Sequence, residues 1–146
     1  MALKASTGLR NKLLDTNPLR TVMNLGFIKI YSGAVPTDAD AAVTGTLLVT
    51  ISNASGGTGL TFAASAAAGV IAKTSGETWS GVNAAGGVAS YYRHVASGDT
   101  GAVSTTEARV QGLIGVSGSD MNLTNTTLTN GATQTVDYYT LNLPTL

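Results

Sequence analysis

Phe27-Ile28-Lys29-Ile30-Tyr31, closed by Ser32-Gly33, is the stretch on which the fold turns. Apolar residues alternate with Lys29, the period-of-two pattern that sends successive side chains to opposite faces of a strand. Thr46 to Ile51 reads as a second strand, apolar and β-branched. Further downstream the rhythm is a short strand and then a turn of Gly, Ser, Thr or Asn. Strands are expected near Leu60–Phe62, Val70–Lys73, Thr78–Val82, Val88–Val95, Glu107–Gly115, Met121–Thr124 and Gln134–Leu143. Turn signals stand at 83–87, 97–101, 117–120 and Asn130-Gly131. Many short strands spaced in this way predict a mainly β domain, a sandwich or barrel, over residues 27–146. Between the first two strands, Pro36–Ala42 suits a single helical turn capped by Asp38 and Asp40 and ended by Gly45.

Upstream of Phe27 the pattern is helical. Ser6 or Thr7 can cap a helix whose apolar positions are Leu9, Leu13 and Leu14. Asn17-Pro18 reads as a break and a second start, with Leu19, Val22 and Met23 on one face and Gly26 ending the run. Lys4, Arg10, Lys12 and Arg20 face a single acid, Asp15. Residues 1–26 therefore read as a short amphipathic helical arm. Leu9, Arg10, Lys12, Leu13, Leu14, Leu19, Arg20, Val22 and Met23 are its expected partner-binding residues. On this division, deleting residues 1–25 should leave a folded β domain.

The totals favour a covered surface. Of 146 residues only 11% are charged, against roughly 25% in soluble domains. The formal net charge is zero, which gives a lone monomer little protection against association. Cysteine is absent, so disulfides, thiolate nucleophiles and Cys-based metal sites are excluded. No run of about 18 apolar residues suggests a transmembrane helix. The opening lacks the apolar core of a signal peptide, so synthesis and assembly in the cytoplasm are expected.

Chemical motifs are sparse. The one histidine, His94, reads as a half-buried strand residue; a Ser-His-Asp arrangement with Asp99 would need an elbow motif that is missing. Asp38-x-Asp40 lacks the further oxygen ligands of a calcium loop, and capping explains both acids. Ser55–Gly59 is glycine-rich, but Leu60-Thr61-Phe62 follows instead of a Lys and a helix, so it reads as a surface loop. The basic residues of the arm form no run and have no interleaved aromatics, so nucleic acid is not expected. No catalytic, cofactor-binding or metal-binding residues are therefore assigned, and no cofactor is expected.

Several blocks resemble small virion structural proteins of tailed bacteriophages. These are Ser6–Leu14, Gly26–Pro36, Ala39–Ala42 with Thr44–Leu48, Tyr91–Arg93, Val110–Gly112, Gly118–Leu123 and Gln134–Val136. The resemblance spans most of the chain, and its motifs are signatures of fold, not of chemistry. It implies a capsid cement (decoration) protein with a jelly-roll-like antiparallel β-sandwich, placed on the outside of the head. The implied partners are the major capsid protein and further copies of the chain, as a dimer or trimer, without membrane or enzymatic activity. Other virion roles (tail tube, neck or fibre) and a carbohydrate-binding sandwich are the alternatives, the last needing exposed aromatics and acids with Trp79 as the obvious anchor.

Overall fold

The structure, a computed structural model, describes residues 3–143. Residues 1–2 and 144–146, the outer ends of the two expected segments, lie outside the described residues. The elements are β1 (Lys4–Ala5), α1 (Thr7–Leu14), α2 (Leu19–Met23), β2 (Phe27–Ser32), β3 (Leu47–Asn53), β4 (Val70–Ala72), β5 (Trp79–Val82), β6 (Gly87–Val95), β7 (Arg109–Gly115), β8 (Met121–Asn122), β9 (Thr127–Leu128), β10 (Thr133–Val136) and β11 (Thr140–Asn142).

The chain is mainly β, with one large sheet in the order β1-β7-β6-β2-β3-β5-β10. Strand β9 adds to β6 and the short β8 lies parallel to β7; the other pairings are antiparallel. β4 and β11 form a separate antiparallel pair. Register sorts the side chains of the large sheet into two faces. Ile28, His94 and Val110 stand in one row across β2, β6 and β7, and Lys29, Arg93 and Gln111 in the next. Because alternate residues face opposite ways, the first row belongs to one face and the second to the other. The first face carries the apolar core, with Trp79, Phe62 and Tyr139 and with Ile71 and Leu141 from the small sheet.

The second face is polar and is covered by residues 34–44. Gln111 donates to the Pro36 carbonyl at 2.9 Å, Arg93 to that of Asp38 at 3.1 Å and Arg109 to that of Ala39 at 3.3 Å. Tyr91 donates to the Thr44 carbonyl at 2.6 Å, and Lys4 to that of Thr37 at 2.6 Å. These bonds explain why the helical turn expected over Pro36–Ala42 is a series of bends. Asp38 does accept from the Asp40 and Ala41 amides, as a cap would. The carbonyls that would propagate a helix are already taken by side chains of β6 and β7 and by Lys4. Gly45 closes the strap at φ 75°, and a Cβ there would run into the Ser32 carbonyl.

Other expectations are corrected. Leu60–Phe62 makes only isolated bridges, to Gly26 and Lys73. The single strand expected over Gln134–Leu143 is broken at residues 137–139, where the chain leaves the large sheet for the small one. Helix α2 stops at Met23; Leu25, at φ 59°, makes the left-handed turn, and Gly26 enters the bridge to Leu60.

The leading segment does not stand apart as an arm. β1 adds an edge to the large sheet through Lys4↔Gln111 and Ala5↔Val110. Ser6 caps α1 by accepting from the Leu9 amide at 3.1 Å; its hydroxyl also donates to the Glu107 carbonyl and accepts from the Arg109 amide. Asp40 accepts from the Thr7 amide and hydroxyl, a carboxylate at the positive end of α1. Gly8 fits because a Cβ would lie 2.4 Å from the Thr106 carbonyl. Leu9 and Met23 are fully buried in the same core as β2, β3 and β6.

Candidate interaction surface

The nine residues expected to bind a partner divide according to burial. Leu9 and Met23 are buried in the chain's own core. Leu13, Leu19 and Val22 pack against that core but remain half-buried. Lys12 is also half-buried, whereas Arg10, Leu14 and Arg20 are exposed, Leu14 to 84%. Arg10 donates to the Thr7 hydroxyl at 2.9 Å.

Two adjoining apolar grooves lie where this segment meets the small sheet. One, of about 340 Å³, is floored by Leu9, Val110 and Leu141 and flanked by Leu3, Leu13, Leu19 and Leu143. The other, of about 350 Å³, shares Leu19, Leu141 and Leu143 and adds Ile71 and Arg20. Leu143, missing from the sequence-based set, stands 65% exposed at their junction. Its placement depends on β11 pairing with β4, a contact that no local pattern announces.

The groups with chemical potential are committed internally. His94 is wholly buried, not half-buried as its strand position suggests. Its ring stacks on Phe62 at 5.4 Å and meets Trp79 edge-on at 6.2 Å. Nδ1 lies 3.2 Å from the Tyr139 hydroxyl, and Nε2 has no partner among the described residues. Burial brings the imidazole down to about 3, so the ring is neutral near pH 7. Asp99 is on the opposite side of the sheet from His94, paired with Arg109. A triad through these two residues is therefore excluded by geometry.

Arg109 is held by Asp99 and Glu107 and donates to the Ala102 carbonyl at 2.8 Å. Arg93 has no carboxylate within ion-pair distance among the described residues; it donates to Gln111 at 2.8 Å and to Asp38. Burial, and then the neighbouring Arg109, hold its guanidinium below the usual value. Beside it Tyr31 and Tyr91 stack at 5.0 Å, and burial pushes the Tyr31 hydroxyl up to about 12. Slight burial pushes the Asp40 carboxyl up, but the Thr7 hydrogen bonds outweigh it and leave Asp40 below its ordinary value. Trp79, the obvious anchor for the carbohydrate-binding alternative, is fully buried, its indole donating to Glu77 at 2.7 Å.

Among the described residues, no group of three or more His, Asp or Glu is placed to hold a metal ion. No described helix is long and apolar enough to cross a membrane. The chain matches no protein-family model, no curated protein and no solved structure.

Proposed function

We propose that this chain is a virion structural protein of a tailed bacteriophage, a cement protein that binds the outside of the head shell. The observation that carries the reading is the apolar groove between α1, α2 and β11, with Leu143 left in solvent on its lining and Leu14, at the end of α1, also exposed. Covering such leucines contributes about 25 cal/mol per Å² removed from water, and many copies on one shell multiply a modest contact. The low charge and the zero net charge support a protein whose surface is shared with neighbours.

The partners in this reading are the major capsid protein and further copies of the chain, as a dimer or trimer, assembled in the host cytoplasm. The role in this reading is non-enzymatic, which the buried His94 and an Asp99 tied to Arg109 on the other face of the sheet support. The jelly-roll-like sandwich belongs to the same proposal, with the β4–β11 pair as the start of a second layer. With Leu9 and Met23 in the core, the segment binds as a docked face and not as a reaching arm.

Copy number in purified particles of the source phage tests this. The chain should approach one copy per major shell subunit; about a dozen copies, as closed rings contain, would place it in the neck. Replacing both exposed leucines, Leu14→Asp and Leu143→Asp, should lower occupancy at least tenfold with little change in the unfolding midpoint. Undiminished occupancy removes the groove from the binding surface.

A further inference from the structure

A separate cleft, of about 430 Å³, lies between β8 and the residues joining β10 to β11. It forms because the chain changes sheets at residues 137–139. Tyr139 enters the core there, while its neighbour Tyr138 is turned out to solvent, 81% exposed. The cleft has an apolar floor, where Leu123 and Val136 are buried, and polar walls of Asp120, Asn122, Gln134 and Asp137. Its volume is in the range of small-ligand sites, and its lining is more polar than the mostly apolar surface such sites usually present, which suits a hydroxyl-rich ligand.

The polar groups are largely uncommitted. Asp120 accepts from the Leu113 amide through one oxygen and keeps the other. Asn122 accepts from the Ser119 amide, and Gln134 donates to the Thr135 carbonyl, leaving a free amide NH₂ and a free amide oxygen. The Asp137 carboxylate and the Tyr138 hydroxyl make no hydrogen bond among the described residues.

This mixture decides the ligand class. Two carboxylates and no lining Lys, Arg or His repel an anion. A purely apolar ligand would strip water from the carboxylates without replacing their bonds. A neutral polyol satisfies both demands, since its hydroxyls donate to carboxylates and exchange bonds with amides in both directions. A pyranose also carries a face of C–H groups, and the negative face of an aromatic ring attracts such hydrogens. We propose that this cleft binds a neutral saccharide, with Tyr138 as the platform under the ring and Asp137 and Asp120 as hydroxyl acceptors. The proposal is independent of the cement reading, because the cleft shares no lining residue with the apolar grooves.

Titrating the isotope-labelled chain with maltotetraose, cellotetraose and chitotetraose tests it by amide chemical shifts. At least one sugar should shift resonances confined to residues 120–124 and 134–140. Tyr138→Ala and Asp137→Asn, both at exposed positions, should weaken that sugar at least tenfold, whereas Tyr138→Phe should retain it. Three sugars that shift nothing at about 10 mM overturn the proposal, as does binding that Tyr138→Ala leaves intact.

Discussion

His94 is a base kept in an apolar box. Its folded value is lowered to about 3 by burial, while the unfolded chain takes up a proton near 6.5. Between these values the unfolded state binds more protons, so stability is complete above pH 6.5 and falls as the pH drops toward 3. The slope should approach about 1.4 kcal/mol per pH unit below the unfolded value. Glu77, Glu107 and Asp40 add their part lower down. Burial pushes each of these carboxyls up, but hydrogen bonds outweigh it, from Thr61 and Trp79, from Thr100 and from Thr7 respectively, with Arg109 also acting on Glu107. Each folded value is therefore depressed, so their contribution is present above the unfolded carboxylate range and disappears as pH falls through the folded values. Urea titrations of His94→Phe should be nearly flat from pH 6.5 to 4.5 while the parent chain declines. A parent chain that is equally flat would mean that the ring is hydrated.

At the scale of elements, the strap of residues 34–44 is held by side chains from below and has no ladder of its own. Gln111 links two of its anchors, accepting from Arg93 and donating to Pro36. Gln111→Leu leaves a buried guanidinium and a carbonyl short of partners and should cost about 3 kcal/mol. Amide exchange across residues 37–44 should rise more than in β6; uniform acceleration would show the strap to be no separate unit. The same strap explains which part of the fold was legible. Alternation located β2, a β-branched apolar run located β3, the strand-then-turn rhythm located β6 and β7, and Ser6 and Pro18 located the helix starts, because those signals are local. Alternation fails to separate the faces of β6, where residues 91–95 are all buried, because one face is covered by apolar residues and the other by the strap. β1 and β9, of two residues each, are too short to carry a pattern. Among the site residues, Leu13 was legible from helical spacing and Arg20 from the basic charge of the leading segment. Leu143 was not, because its exposure follows from the change of sheets between β10 and β11.

For the whole molecule, a cut at residue 26 would pass through packed structure. Leu9 and Met23 contribute to the central core, and β1 completes the sheet edge. Deleting residues 1–25 removes both and uncovers Val110, so the truncated chain should lose cooperative unfolding and expose apolar surface. A truncated chain that unfolds in one sharp transition would restore the arm as an independent part. The tie between Ser6 and Arg109 bridges 103 positions along the chain. At about 5–20 residues per second, the ribosome releases the first helix roughly 5–20 s before the strand that anchors it. For that interval the newborn leucines of α1 have no home, so nascent chains are open to chaperone capture until β7 emerges.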